Sequence, residues 1–217
     1  MESIIKKVAL LILCMNGLSS AYAQFAESNG LYLTTEVGIG NYFGLDMNLN
    51  YVLKEKYAFK IGYSGHIRNP HSIPEDYSSG ILGLLLLGLN GPFDYMTNYQ
   101  LAVGKIYKLN DKGTIRINLN LGVGYMGIRE PKNWTRIDGF SVGSNYSWEY
   151  GRYYTVGLII NPKIELPFTS TVGITISPMV QINKDRAYFG LGIGQMIGVL
   201  RPKKEVAKEV EKEQKTP

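Results

Sequence analysis

The sequence predicts an all-β fold: a closed, antiparallel, eight-stranded transmembrane β-barrel wound as an up-and-down meander. Three observations carry this. An export segment opens the chain, and it is followed by eight segments in which apolar and polar residues alternate. The period is two throughout, which is the strand signature. The polar side of the alternation is Gly, Asn, Ser and Thr rather than Lys and Glu. Lipid-facing and lumen-facing positions must alternate in just this way along a membrane-spanning strand.

The totals agree with one domain of this kind. The chain has 217 residues and a formal net charge of +5. Its mean hydropathy is -0.07 and its pI about 9.1. A barrel needs only every second residue apolar, so a modest average is no argument against a membrane. The basic excess is diffuse, with no clustered basic face interleaved with aromatics, so no nucleic-acid partner is expected. The 16 tyrosines suit strands and membrane interfaces, and the 25 glycines suit a crowded interior.

Residues 1–23 read as a signal peptide. Lys6 and Lys7 form its charged start, Val8 to Met15 its short apolar run, and Ala21-Tyr22-Ala23 an A-x-A cleavage site. The apolar run is too short to span a bilayer as a helix. A lipoprotein cut before Cys14 is the rival, but in Leu11-Ile12-Leu13-Cys14 a bulky Leu stands where a small residue is wanted. Cleavage after Ala23 removes the only cysteine, and with it any disulfide or thiolate ligand.

The strands follow over residues 24–200. The first sets Leu31, Leu33, Val37 and Ile39 against Tyr32, Thr34, Glu36 and Gly38. The second sets Leu45, Met47, Leu49, Tyr51 and Leu53 against Asp46, Asn48 and Asn50. Lys54-Glu55-Lys56 turns the chain into the third, with Tyr57, Phe59, Ile61 and Tyr63 opposing Lys60, Gly62, Ser64 and His66. The fourth has Tyr95, Tyr99, Leu101 and Val103 against Asn98, Gln100, Ala102 and Gly104, and Asn110-Asp111-Lys112-Gly113 follows as a turn. The fifth is the most regular, with Ile115, Ile117, Leu119, Leu121, Val123 and Tyr125 against Arg116, Asn118, Asn120, Gly122 and Gly124. The sixth has Tyr154, Val156, Leu158, Ile160 and Ile164 against Thr155, Gly157, Asn161, Lys163 and Glu165. The seventh has Val172, Ile174, Ile176, Val180 and Ile182 against Gly173, Thr175, Ser177 and Gln181. The eighth has Phe189, Leu191, Ile193 and Ile197 against Tyr188, Gly190, Gly192 and Gly194.

Connections alternate in length. Long loops are expected over about residues 69–92 and 130–147, and the links between them are short. Short periplasmic turns with longer outer loops are the outer-membrane pattern, with both termini periplasmic. Residues 201–217 form a Lys- and Glu-rich tail.

A soluble barrel of the lipocalin kind also alternates, but with its apolar face inward and a charged face in water. The small, weakly charged polar face here belongs inside a narrow lumen. The apolar face then meets lipid, where a closed barrel is the only β solution. Tyr57, Tyr95, Tyr99, Tyr125 and Tyr154 fall toward strand ends, as interfacial girdles do.

On the A-x-A site and stretches such as Leu119-Gly-Val-Gly-Tyr-Met-Gly127 and Phe189-Gly-Leu-Gly-Ile-Gly194, the chain resembles the small eight-stranded outer-membrane barrels. These are of the OmpX and OmpA-barrel kind and the "outer membrane protein beta-barrel domain" type. The resemblance implies location in the outer membrane of a Gram-negative-type bacterium. It also implies contact with outer-membrane lipid and lipopolysaccharide, and insertion by the barrel-assembly machinery. Members usually end on an aromatic residue that this machinery reads; here the last strand ends at Val199-Leu200 and the charged tail follows.

The lumen face carries Glu36, Asp46, Lys60, Arg116, Lys163 and Glu165. Buried charges need partners, so an internal network of ion pairs and hydrogen bonds is expected. An eight-stranded barrel is just wide enough to be filled by side chains, which favours a plugged lumen over a pore. Ser64 and His66 share the lumen side of one strand near the acids Glu36 and Asp46. Those are the parts of a nucleophilic relay, and some outer-membrane barrels of similar build are lipid A deacylases or acyltransferases. The order Ser-x-His does not match their motifs. Gly190-x-Gly192-x-Gly194 has strand period and no following helix, so it is no nucleotide loop. Asn133-Trp-Thr and Asn145-Tyr-Ser are chance sequons in a bacterial protein. No cofactor is expected, and no cluster has metal-ligand spacing. The first long loop holds the apolar run Ile81 to Leu89, and the second holds Trp134, Phe140, Tyr146, Trp148 and Tyr150. Both suit contact with a surface partner. Three readings result: a structural or surface-interaction barrel acting through its loops, a lipid A-modifying enzyme using Ser64 and His66, and a small-solute channel or apolar-ligand transporter.

Overall fold

The computed structural model describes residues 29–86, 91–137 and 142–201. The expected signal peptide and the tail beyond residue 201 lie outside the described residues. The strands are β1 (Gly30–Gly40), β2 (Phe43–Leu53), β3 (Tyr57–Arg68), β4 (Asp94–Lys108), β5 (Arg116–Arg136), β6 (Tyr146–Pro167), β7 (Val172–Asn183) and β8 (Ala187–Val199). Each pairs antiparallel with the next in sequence, and β8 closes onto β1 from Leu31–Val199 to Gly40–Gly190. Closure leaves no strand edge, so every ladder can be satisfied without water.

The apolar residues of the alternation face outward. Leu101 and Ile193 are more than half exposed (59% and 58%), while Asn48 and Lys163, on the opposite face, are fully buried. This is a barrel with its greasy side out, the inverse of a soluble one. Toward the end opposite the termini the belt closes with a row of tyrosines. Tyr63 leans on Tyr99 at 5.1 Å, and Tyr125 stacks on Tyr154 at 5.6 Å with near-parallel rings.

Three short turns, after β2, β4 and β6, lie at the terminus end. Lys54 and Glu55 both take positive φ (50° and 57°), and Lys56 N–H donates to the Leu53 carbonyl at 3.1 Å. Two consecutive positive φ values in this tight turn match the right-handed twist of the flanking strands. Between β4 and β5, Gly113 (φ 62°) donates to the Asn110 carbonyl, a left-handed position for which glycine carries no Cβ penalty.

Two features differ from the sequence expectation. β5 and β6 continue well past Tyr125 and Tyr154, so residues 130–136 and 146–147 of the expected loop belong to an extended hairpin, with a register irregularity between Lys132 and Thr135. The apolar run in the 69–92 loop begins as a short helix, α1 (Gly80–Leu85).

One seam of the barrel is interrupted. The β6–β7 ladder pairs Gly157–Ile160 with Val180–Asn183, then resumes at Ile164 with Ile176. Register is unchanged across the gap, which places Pro162 opposite Pro178. Neither proline has an N–H to donate. The Asn161 side-chain amide donates instead to the Pro178 carbonyl at 2.9 Å.

Candidate functional site

The lumen is a packed core in layers. At the terminus end, Tyr32, Val52, Ala58, Ile106, Met196 and Leu200 form an apolar plug. Above it lies the polar core. Glu165 receives Arg116 Nε at 2.6 Å, the Tyr32 hydroxyl at 2.8 Å and Asn118 Nδ2 at 2.9 Å. Arg116 also donates to the Leu200 carbonyl, tying the end of the barrel chain into the plug. Glu36 Oε1 receives Lys163 Nζ at 2.6 Å and Thr175 Oγ1 at 2.8 Å. Lys60 Nζ donates to Asn161 Oδ1 at 2.9 Å. Gln100 Nε2 donates to Asn48 Oδ1 at 2.8 Å and reaches Asp46 Oδ1 at 3.5 Å. Glu36, Asp46, Lys60, Arg116, Lys163 and Glu165 are all buried in this layer.

A second apolar plug, of Tyr42, Met96, Met126, Ile128, Ile159, Met179 and Tyr188, closes the lumen toward the other end. The alternation in the sequence does not mark either plug, because a methionine or isoleucine at an inward position breaks the alternation without marking its depth. Tyr188 is accommodated by glycines: a Cβ at Gly38 or Gly190 would lie 3.0 Å or 2.5 Å from its hydroxyl.

Ser64 and His66 lie within the barrel wall, both fully buried. His66 Nε2 is 3.4 Å from Asp46 Oδ2, and its ring lies against Tyr188 at 4.2 Å. Among the described residues, neither Ser64 Oγ nor either His66 ring nitrogen finds a hydrogen-bond partner. The 3.4 Å approach to Asp46 is thus an electrostatic contact rather than a well-directed bond. A nucleophilic relay needs the serine hydroxyl on the histidine and a path for substrate; here the hydroxyl is unbonded and the second plug lies over the pair. Among the described residues no group of three or more His, Cys, Asp and Glu has the arrangement of a metal site.

The mouth opposite the termini is bolted by Arg186, from the β7–β8 turn. Its guanidinium donates to Asp94 Oδ2 at 2.6 Å and the Tyr42 hydroxyl at 2.9 Å, and pairs with Glu130. Arg68 reaches the same Asp94 oxygen at 3.0 Å and lies over the Tyr42 ring. Partial burial alone would raise the Glu130 carboxyl; the hydrogen bond from Lys132 and the charges of Arg186 and Lys132 outweigh it and hold the carboxyl below the ordinary range. Nothing in the sequence marks Arg186, which lies in a turn outside any periodic segment.

Beyond the mouth, the two long loops are joined. The Asn145 side chain accepts from Ser78 N–H at 2.7 Å and donates to the Asp76 carbonyl at 2.8 Å. Asp76 takes Arg136 Nη1 at 2.9 Å on one oxygen and the Tyr146 hydroxyl at 2.7 Å on the other. That bond, with Asp76's charge, raises the Tyr146 phenol above its usual value. Leu82 N–H donates to the Val142 carbonyl. Tyr77, Trp134, Tyr146 and Trp148 contact one another ring to ring, with centroids 5.6–6.3 Å apart. α1 presents Leu84 and Leu85 to the outside, 78% and 71% exposed. On the barrel wall itself, an apolar hollow of about 610 Å³ lies among Leu49, Phe59, Ile61, Leu101, Val103 and Leu121, within the greasy belt.

No protein-family model and no curated protein sequence matches the chain. Among solved structures it is similar to the N-terminal β-barrel domain of OprF from Pseudomonas aeruginosa, at 11% identity and a TM-score of 0.45, covering 79% of this chain and 98% of that one. It is also similar to the outer membrane protein Ail of Yersinia pestis, at 12% identity and a TM-score of 0.44, covering 78% and 99%. Neisserial surface protein A is similar at 10% identity and a TM-score of 0.44, covering 78% and 94%.

Proposed function

We propose that this chain is exported to a bacterial outer membrane, where the barrel is a closed anchor and the platform built by its two long loops makes contact with a partner at the cell surface. One observation carries the reading: segments 69–92 and 130–147 bond to each other through Asp76, Ser78, Arg136, Asn145 and Tyr146 while leaving the leucines of α1 exposed and the loop aromatic rings half-buried. Ordering two long loops costs conformational entropy. A surface ordered in advance spares that cost when a partner binds. The plugged lumen supports the same division of labour, since a pore would need a continuous path and a lumenal enzyme an open one.

The test expresses the protein on cells of a bacterium that lacks it and scores adhesion to host-cell and abiotic surfaces. Asp76→Ala, which unties the loops, and Leu84→Asp/Leu85→Asp, which alters the exposed helix, are each expected to reduce adhesion while surface expression persists. Adhesion unchanged in both variants contradicts the reading. Two outcomes would favour the rivals instead: lipid A altered by the wild type but not by Ser64→Ala/His66→Ala, or stable conductance in planar bilayers.

A further inference from the structure

Two arginines stand where like charges are costly. Arg129 of β5 and Arg152 of β6 are direct cross-strand partners. Both belong to the outward series, Arg129 following Tyr125 and Gly127, and Arg152 preceding Tyr154 and Val156. Like charges directly opposite on one sheet face destabilise it unless something answers them. Among the described residues no carboxylate does: neither guanidinium makes an ion pair or a side-chain hydrogen bond. Arg129 is instead held by rings, its guanidinium carbon 3.8 Å from the Tyr150 centroid and 5.3 Å from that of Tyr95. Its Nε is buried without a partner among the described residues. The contact with the rings fixes the guanidinium in place and leaves its donors unused.

The pair also has a defined height. The row Tyr99–Tyr125–Val156 ends the greasy belt, the next outward row is Thr97–Gly127–Tyr154, and the next is Tyr95–Arg129–Arg152. Two residues along a strand advance about 6.6–6.8 Å. The arginines therefore stand just beyond the tyrosine girdle, at the depth of lipid headgroups. Beneath them is a pocket of about 300 Å³ lined by Tyr95, Thr97, Gly127, Arg129, Arg152 and Tyr154. Gly127 forms its recess, because a Cβ there would meet Thr97 Oγ1 at 2.9 Å and the Tyr154 ring at 3.3 Å.

We infer that Arg129 and Arg152 form a binding site for the phosphate monoester of a membrane lipid in the leaflet at the loop end, its first acyl segment entering the recess over Gly127. Two guanidiniums on adjacent strands present paired donors to one dianion, the geometry in which arginine is strongest. A monoester carries close to two charges near neutral pH, as phosphorylated side chains do, and a diester only one. The site thus favours the monoester headgroup. The inference rests on the membrane-spanning barrel and is independent of the loop platform.

The test uses the folded full chain in detergent micelles. Native mass spectrometry compares retention of phosphatidic acid with that of phosphatidylcholine of the same acyl chains. The wild type is expected to retain phosphatidic acid at least about tenfold better, the size of one charge-assisted contact. Arg129→Gln/Arg152→Gln is expected to abolish the preference, and the exposed single change Arg152→Gln to reduce it. Lys105→Gln, an outward cation near the other interface, is expected to leave it intact. Equal retention of the two lipids by the wild type overturns the inference, as does a preference that survives in the double variant. Displacement of phosphatidic acid by an equimolar amount of inorganic phosphate also overturns it, because the site would then recognise a free anion rather than a lipid. Heat-modifiable migration of each variant verifies that it is folded.

Discussion

At the scale of the residue, the buried charges hold the barrel core in one arrangement. Glu36 and Lys163 are both fully buried and paired at 2.6 Å. Removing one partner of such a pair strands the other charge, which costs about 3–5 kcal/mol, whereas replacing both with apolar residues of similar volume is close to neutral. Glu36→Ala is therefore expected to lower unfolding stability in urea by about that amount. Glu36→Leu/Lys163→Met is expected to recover most of it, with tryptophan fluorescence as the readout. A single variant as stable as the wild type would mean that Lys163 finds another partner in the lumen. That these charges face inward was legible from their strand positions. Their pairing was not: Glu36 meets Lys163 from a strand that is not its neighbour, and that meeting depends on the stagger of the closed barrel, which strand-by-strand periodicity does not contain.

At the scale of the element, the strands were legible wherever lipid enforced the alternation. β5 reads clearly from Ile117 to Tyr125 because each outward position there must be apolar. It continues to Arg136 through Gly127, Arg129, Pro131 and Trp134, where the strand has left the lipid and its outward side is free to be polar. The ladder persists while the hydrophobic signal ends, which is why an extended hairpin reads as a loop. Conversely, nothing in the local sequence of β6 and β7 shows that Pro162 and Pro178 face each other, since that follows only from register. This gap interrupts the β6–β7 ladder in the middle of the barrel wall. Pro162→Val/Pro178→Val restores both N–H donors and is expected to raise stability by about 1 kcal/mol or more, with slower unfolding in denaturant. A loss of stability in that variant would mean that the seam relies on the Asn161 bond to the Pro178 carbonyl rather than suffering from the missing donors.

At the scale of the molecule, the same rule that makes the wall apolar makes the interior polar, and the narrow circumference then fills it. Two apolar plugs enclose a layer of paired charges, Arg186 bolts the mouth, and two long loops join above it. Specific chemistry is left to surfaces that the barrel positions but does not dictate. That is why the sequence conveys the fold clearly and the site only in fragments. The loop aromatics Trp134 and Trp148 are visible in it, but not their contact with Tyr77, which lies 57 and 71 residues earlier in the chain. The central claim is that the barrel spans a membrane. The most direct measurement is electrophoretic migration, with and without heating, of protein extracted by detergent from the membrane fraction. The chain is expected in membranes, with its unheated form running as a compact band that shifts on boiling. A chain that remains in the soluble fraction and migrates identically with and without heat would contradict it.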